Sequence, residues 1–234
     1  MMMTKLEVFL NIKGFDISLA EKLEKYMSLI LEWNEKINVT AVKNPEEFMA
    51  KNIIDSLTIC GKPEISTAER VLELGTGGGL PGIPLAIVYP EKSFVLMDAV
   101  GKKLKVVQAV ADEIGLSNVA TVHGRAEDLA RKGEYREQFD LVVSRAVANL
   151  STLSEYCIPF VKIGGSFTAF KTEAAEEEIS AASSAVKKLG GVMNPFEQDG
   201  VEGSGHGFVR IDKVSTTSPK YPRKAGLPSK DPLK

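Results

Sequence analysis

The sequence predicts an α/β protein whose mostly parallel sheet carries helices on both faces and follows a helical N-terminal extension. From residue 69 onwards, short apolar segments alternate with amphipathic ones, a pattern typical of parallel sheets covered on both sides. In the first 60 residues, apolar side chains such as Leu23, Tyr26 and Ile30 recur at helical spacing. The first strand also runs into a series of glycines, which predicts a tight turn at the carboxyl end of the sheet.

Each strand is predicted from a short apolar run bounded by turn residues. Helix ends are predicted from capping residues: Asn44 before Pro45 opens one helix, and Gly115 closes another. The predicted strands are residues 70–74, 94–98, 119–123, 139–144, 165–171 and 208–211. The predicted helices around them are residues 83–89, 102–114, 150–160 and 172–189.

These elements divide the chain into three parts: a helical cap (1–66), a sheet domain (67–214) and a C-terminal tail (215–234). Within the tail, the prolines of residues 218–228 predict irregular structure. From Lys213 to the end, six basic residues face one acidic residue. Such a segment either binds phosphate groups or is simply solvated, and the composition does not decide between them.

Composition excludes several classes of protein. The chain has 234 residues, 26% of them charged, and a formal net charge of −2. Two cysteines and two histidines, none of them clustered, predict neither a disulfide framework nor a metal site. No apolar run is long enough to span a membrane, and the N-terminus does not resemble a signal peptide. We therefore expect a monomer in the cytoplasm, without metal and away from membranes.

The glycine-rich turn fits two kinds of nucleotide site. Gly77, Gly79 and Gly82 match the pattern of NAD-binding proteins, which predicts an oxidoreductase. Glu73 with Gly75, Gly77 and Gly79 instead matches an S-adenosylmethionine-type turn. The second interpretation is favoured because Glu73 can accept hydrogen bonds from the turn, and its negative charge suits a cationic ligand. Two prolines near the start of the following helix also remove backbone donors that a pyrophosphate would need.

Two further acidic residues are candidates for cofactor contacts. Asp98 ends the second strand, where it can accept hydrogen bonds from ribose hydroxyls or can cap the next helix. Glu127 follows the third strand, where an adenine base would rest, but an acidic residue at the start of a helix is an equally good explanation.

Several motifs, taken in order, resemble the bacterial 16S ribosomal RNA guanine-N7 methyltransferases, also called glucose-inhibited division protein B. The similarity covers nearly the whole chain. The matching motifs are Trp33-Asn34-x-x-Ile37-Asn38-Val39-Thr40, Asp55-Ser56-Leu57, the turn from Gly75 to Pro84, Ser144-Arg145-Ala146, and Tyr221-Pro222-Arg223-Lys224-x-Gly226-x-Pro228. One departure is Asn52, where the family usually has histidine.

The resemblance implies a Rossmann-like class I methyltransferase fold with a seven-stranded sheet. It also implies that S-adenosylmethionine is the cofactor and that the substrate is a guanine in the decoding region of 16S rRNA in the small ribosomal subunit. The implied cofactor contacts are Gly75, Leu80, Ala126, Glu127 and Arg145, to which the turn analysis adds Glu73, Gly77, Gly79 and Asp98. The implied basic pocket residues are Arg125, Arg145 and Lys171, and the candidate RNA contacts are Asn38, Asn52, Lys102, Lys103, Arg223 and Lys224.

The residues permit this chemistry. Guanine N7 carries an in-plane lone pair and no proton, so methylation requires no general base, and orientation can supply most of the rate enhancement. The chain lacks the motifs that amino-directed and pyrimidine-C5 methyltransferases carry after the fourth strand. A methyltransferase for another RNA or for a small molecule, and an inactive cofactor- or RNA-binding module, remain alternatives at this stage.

Overall fold

The structure is a computed structural model that describes residues 2–145, 148–199, 201 and 205–234. It has an N-terminal group of helices followed by one sheet with helices on both faces. Within the described ranges, no helix has both the length and the apolar character needed to cross a membrane.

Eleven α-helices and seven strands make up the described chain. The helices are α1 (Lys5–Ile12), α2 (Leu19–Asn34), α3 (Pro45–Phe48), α4 (Asp55–Leu57), α5 (Pro63–Thr67), α6 (Gly82–Val88), α7 (Gly101–Glu113), α8 (Ala126–Leu129), α9 (Leu150–Cys157), α10 (Glu176–Lys188) and α11 (Leu227–Lys230). The strands are β1 (Arg70–Leu74), β2 (Ser93–Asp98), β3 (Val119–His123), β4 (Phe139–Arg145), β5 (Val161–Thr172), β6 (Gly191–Gln198) and β7 (His206–Lys213).

The sheet has the order β3-β2-β1-β4-β5-β7-β6. Strands β1 to β5 run parallel, and β7 is antiparallel to both of its neighbours. Strands β2 and β3 lie on one side of β1, and β4 and β5 lie on the other, so the strand order reverses between β1 and β4. The carboxyl ends of these two neighbouring strands carry Leu74 and Arg145. Ligands of doubly wound sheets commonly bind at such a position, so the topology agrees with the expectation of a ligand site near the glycine turn.

The sheet separates two hydrophobic cores because side chains of a strand alternate between its faces. In β1, Val71 packs with the core formed by α2, α6 and α7, whereas Leu72 packs with the core formed by α9 and α10. The N-terminal helices share the first core, to which they contribute Leu23, Tyr26 and Ile30. The cap is therefore packed directly against the helices that follow the glycine turn and β2.

All six strands predicted from local patterns are present, with ends that move by a few residues. The seventh strand, β6, was not predicted from a pattern of its own and follows only from the family resemblance. It contains Pro195 and pairs with β7 alone, with a register shift between Met193 and Phe196. Proline cannot donate to a strand ladder and is tolerated at an edge, which is why this segment lacks a normal strand pattern.

The helix that begins after Asn44 has an unpredicted form. Asn44 caps it as expected, accepting the Glu47 amide at 2.9 Å. Between α3 and α4, however, Met49–Ile54 forms a π-helix. The wider turn is a feature that often accompanies functional sites, and here it carries Asn52.

The C-terminal segment is docked on the domain rather than extended from it. Tyr221 is buried, and the Arg136 guanidinium donates to the carbonyls of Thr217 at 2.7 Å and Tyr221 at 3.0 Å. The prediction that residues 218–228 lack regular structure was wrong at the end of that range, since Leu227–Lys230 forms α11. The half-buried Arg136 thus supplies donors to these carbonyls that the prolines, which lack an N–H group, cannot supply.

Candidate active site

The glycine turn has a backbone that requires glycine at three positions. Gly75, Gly77 and Gly79 have φ values of 76°, 55° and 93°, in the left-handed region that other residues rarely adopt. Gly82 is needed for a different reason, because a β-carbon there would overlap the Glu73 carboxylate and Leu96. The turn therefore brings α6 close to β1 and β2 and exposes backbone at the end of the sheet.

Glu73 lies beneath this turn and is 1% exposed. As predicted, it accepts a hydrogen bond from the turn: the Thr76 hydroxyl donates to Glu73 Oε2 at 2.6 Å. Burial raises the pKa of Glu73 from 4.5 to about 8, although the Thr76 hydroxyl and the Arg145 charge oppose the shift. Burial thus opposes the negative charge predicted for Glu73 as long as no cation is bound nearby. Glu73 Oε1 is buried and has no hydrogen-bond partner within the described residues.

Asp98 fixes the other side of the turn. Its Oδ2 accepts the Gly77 amide at 3.0 Å and its Oδ1 accepts the Val100 amide at 2.8 Å. It is not the cap residue of α7, which is Val100. Each carboxylate oxygen keeps a second lone pair, so Asp98 can brace the turn and still accept hydrogen bonds from a ribose.

The N-terminal cap braces the turn from above. The Tyr26 hydroxyl donates to the Gly78 carbonyl at 2.8 Å in a buried contact. Asn34 Oδ1 accepts the amides of Val39 at 2.9 Å and Thr40 at 3.0 Å, closing the loop after α2. The closed loop holds the Val39 carbonyl beside the turn, 3.4 Å from where a Gly78 β-carbon would lie. The N-terminal motif therefore has a structural connection to the predicted cofactor turn.

Glu127 joins the predicted cofactor region to the C-terminal segment. It lies in the short helix α8, is 4% exposed, and accepts the Gly226 amide at 2.7 Å through Oε1. Ala126 begins the same helix, and the exposed Arg125 precedes it as the cap residue. The C-terminal family motif thus contacts a predicted cofactor residue, a connection across 99 residues that only the folded chain shows.

A cavity of about 450 Å³ opens at the carboxyl ends of β4 and β5. Two aromatic rings, Phe170 and Phe208, contribute to its wall and pack edge to face with their centroids 5.0 Å apart. The size falls in the range of about 300–1,000 Å³ typical of small-molecule sites. The other residues that line it are Lys51, Asn52, Asp55, Thr58, Arg145, Lys171, Thr172, Glu178, His206 and Gly207.

Arg145 is held in this cavity by the helix that carries the π-turn. Its Nη1 donates to Asp55 Oδ2 at 2.8 Å and to the Lys51 carbonyl at 3.0 Å, and its Nη2 donates to Asn52 Oδ1 at 2.7 Å. The other oxygen of Asp55 lies 2.7 Å from Nδ1 of His206. The cap thereby fixes the guanidinium at the end of β4, so that its orientation does not depend on a ligand.

Two groups near this network have consequences for binding. Asn52 uses its oxygen for Arg145, while its buried Nδ2 has no partner within the described residues.

Asp55, His206 and Asp199 are the one set of potential metal ligands that converges in the described chain, with ligand atoms within 4.8 Å of one another. Since both Asp55 oxygens already take part in close contacts with Arg145 and His206, we interpret this cluster as a hydrogen-bonded network.

Lys171 lies on the opposite wall of the cavity. Its side chain is 14% exposed, and its ammonium donates to Glu178 Oε2 at 2.7 Å and to the Ala148 carbonyl at 3.0 Å. Arg145 and Lys171, which the family resemblance implies as pocket residues, both line this cavity, whereas Arg125 does not. Ala146, part of the motif around Arg145, lies outside the described residues.

The predicted RNA contacts do not form one surface, and Asn52 among them is buried in the cavity wall. Asn38, Lys102 and Lys224 are exposed, and Lys103 is half-buried. Arg223 is different, because its guanidinium donates to the buried Glu155 at 2.8 Å and to the Asp231 carbonyl at 2.6 Å. These bonds argue for a structural role of Arg223 in docking the C-terminal segment.

Sequence reasoning assigned no role to Asp55, Glu178, His206 and the two phenylalanines of the cavity. Asp55 stood within a quoted motif, but nothing in the sequence connected it with His206, 151 residues further along the chain. Glu178 lies in a run of three glutamates, a pattern typical of the solvent-exposed first turn of a helix, so its sequence context gave no reason to expect a binding role.

Comparison with known proteins identifies the family. A family model described as rRNA small subunit methyltransferase G, or GidB, matches residues 19–199. The chain belongs to this family. Ribosomal RNA small subunit methyltransferase G of Clostridium tetani is 44% identical over 223 residues, covering 94% of this chain and 93% of that protein. The protein of the same name from Desulforamulus reducens is 43% identical over 228 residues, with the same coverage of both chains.

Solved structures support the fold of this GidB-family chain. The S-adenosylmethionine-dependent methyltransferase SibL superposes with a TM-score of 0.55 at 17% identity, over 73% of this chain and 56% of SibL. A putative O-methyltransferase from Klebsiella pneumoniae gives 0.55 at 15% identity, over 81% of this chain and 90% of that one. These likenesses confirm the predicted methyltransferase fold, and the family match favours it over the oxidoreductase alternative.

Proposed function

We propose that this protein transfers a methyl group from S-adenosylmethionine to N7 of a guanine in 16S rRNA. The observation that carries the proposal is the cavity at the carboxyl ends of β4 and β5 in a chain of the rRNA small subunit methyltransferase G family. An enzyme that modifies ribosomal RNA acts where ribosomes assemble, so the proposed compartment is the cytoplasm.

The residues around the turn suit S-adenosylmethionine. That cofactor supplies an electrophilic methyl group on a sulfonium. The three left-handed glycines leave the backbone at their positions without side chains, and Asp98 retains lone pairs for ribose hydroxyls. Glu73, whose Oε1 has no partner within the described chain, gains a reason to ionise when a cation binds nearby. Glu127 is held beside the C-terminal segment at the position proposed for the adenine.

The cavity suits a base that has left its stack. Phe170 and Phe208 give it an apolar wall, and Arg145 and Lys171 give it two fixed cations. Proteins that act on nucleobases hold the extruded base by contacts of this kind. The N7 lone pair forms the new bond as the carbon–sulfur bond breaks, with the bonding electrons staying on sulfur, and no proton moves. The protein therefore has to align N7, the methyl carbon and sulfur, a task for the rigid Arg145 network.

The backbone of the RNA needs cations outside the cavity. Lys102 and Lys224 are exposed, and Arg125 is exposed next to the proposed adenine position. Because the net charge is only −2 overall, recognition cannot rest on bulk charge, and we propose that the folded small subunit presents the target.

The experiment that tests the proposal is methyl transfer in vitro. Purified protein is incubated with methyl-tritiated S-adenosylmethionine and small ribosomal subunits from cells that lack it, and the label is traced to RNA, protein and small molecules. We expect label in 16S rRNA, released as 7-methylguanosine. Label in a low-molecular-weight fraction, or binding of the cofactor without any transfer to subunits, would refute the proposed substrate. Arg145→Ala serves as the matched variant, with transfer reduced more strongly than cofactor affinity.

A further inference from the structure

Glu178 is a carboxylate on the cavity wall whose two oxygens differ. It lies in the first turn of α10 and its side chain is 37% exposed. Its Oε2 accepts the Lys171 ammonium at 2.7 Å and the Leu150 amide, at the start of α9, at 2.8 Å. These two donors fill the lone pairs of Oε2 and fix the plane of the carboxylate.

The second oxygen, Oε1, accepts no hydrogen bond from the part of the chain that the structure describes. The other carboxylate of the cavity, Asp55, has both oxygens engaged, by Arg145 and by His206. Glu178 is therefore the carboxylate that can accept a hydrogen bond from a molecule in the cavity without giving up a contact.

When N7 of a guanine faces the methyl group of the cofactor, the Watson–Crick edge of the base points away from the cofactor. On that edge, N1–H and the N2 amino group are adjacent donors, whereas adenine has an acceptor at N1. An ionised carboxylate only accepts hydrogen bonds, and an extruded base is selected through its Watson–Crick edge. We propose that Glu178 Oε1 accepts hydrogen bonds from N1–H and N2–H of the target base and so selects guanine. This inference rests on the proposed function of the cavity.

The neighbours of Glu178 make the site selective. The Lys171 ammonium compensates the carboxylate charge, so the charge can remain when the base excludes water. The Leu150 amide keeps Oε2 turned towards α9 and leaves Oε1 for the ligand. In a Glu178→Gln variant the carbonyl oxygen takes the place of Oε2, because both neighbours are donors. The amide NH₂ then occupies the position of Oε1, where a donor faces the donors of guanine.

The test compares guanosine with inosine, which lacks only the N2 amino group. Small subunits are reconstituted with 16S rRNA that carries one or the other nucleoside at the mapped target, and kcat/KM is measured for each. We expect the unaltered protein to prefer guanosine by about tenfold to a hundredfold, as for loss of a hydrogen bond to a charged group. Glu178→Gln should lower kcat/KM for guanosine and reduce the preference to below about threefold. Any intrinsic difference in N7 reactivity cancels between the two proteins.

Glu177→Gln is the matched control, since Glu177 is exposed in the same helical turn, and it should keep the full preference. Affinity for S-adenosylhomocysteine should be equal in all three proteins. Equal transfer to guanosine and inosine by the unaltered protein would overturn the inference, and this comparison needs no variant. An undiminished preference in Glu178→Gln would overturn it as well. Absence of transfer to either RNA would instead refute the proposed function.

Discussion

The buried carboxyl of Glu73 makes the stability of this protein depend on pH. Its pKa rises from 4.5 to about 8 on folding because burial disfavours the charged form. Between these values the folded protein holds a proton that the unfolded chain releases, so stability is complete below about pH 4.5 and falls as the pH rises towards 8. At about 1.4 kcal/mol for each tenfold change in proton affinity, the upper limit of this loss is about 5 kcal/mol.

A Glu73→Gln variant should lack this pH dependence, because glutamine resembles the neutral carboxyl and still accepts the Thr76 hydroxyl. Urea unfolding, followed by the fluorescence of Trp33, the single tryptophan, gives the free energy of unfolding between about pH 5 and pH 8.5. We expect the unaltered protein to lose about 2–5 kcal/mol relative to the variant over this range.

The comparison between proteins removes the titration of all other groups. Glu177→Gln, which changes an exposed carboxyl, should follow the unaltered protein at every pH. If the free-energy difference between the unaltered protein and Glu73→Gln stays constant over the whole range, the carboxyl is ionised in the folded state and the reasoning is refuted.

Three further predictions concern single contacts. Asn34→Ala leaves the amides of Val39 and Thr40 without their acceptor and should weaken S-adenosylhomocysteine binding about tenfold, measured by calorimetry. Asn34→Asp keeps the acceptor and should bind with unchanged affinity. Equal affinities of the two variants would contradict this. Arg223→Ala leaves the carboxylate of Glu155, which is 0% exposed, without its cation. It should lower the free energy of unfolding in urea by about 3–5 kcal/mol. A loss below about 1 kcal/mol would contradict a structural role for this ion pair. Gly82→Ala, which overlaps neighbouring side chains, should cost about 1–3 kcal/mol, detected as a lower Tm.

Much of the fold was predictable because its signals are local. Apolar runs bounded by turns identify β1 to β5 and β7, and Asn44 with Pro45 identifies the start of α3. Strand β6 could not be predicted from its sequence, because it contains Pro195 and does not alternate apolar and polar residues. Such a segment can form a strand only at the edge of a sheet, and its edge position is known only from the fold. The π-turn at Met49–Ile54 also escapes, since its sequence is equally compatible with a regular α-helix.

The candidate site was predictable where one segment carries it. Gly75, Gly77 and Gly79 lie within one segment, and their spacing predicts the tight turn that the structure shows. The cavity is different because it forms from segments that are distant in the chain: Asn52 meets Arg145 across 93 residues. The ion pair between Arg223 and Glu155 illustrates the same difficulty. From the sequence, the basic tail is compatible with phosphate binding, and only the fold shows that Arg223 pairs with a buried carboxylate.

The central claim is that this protein methylates guanine N7 in 16S rRNA through the cavity at Arg145. The most direct measurement is the 7-methylguanosine content of 16S rRNA from cells that lack the protein, complemented either with the unaltered gene or with Arg145→Ala, with each modified position mapped by mass spectrometry of nuclease fragments. We expect one 7-methylguanosine that disappears without the protein, returns with the unaltered gene and stays strongly reduced with Arg145→Ala. An unchanged 7-methylguanosine content in cells without the protein would contradict it.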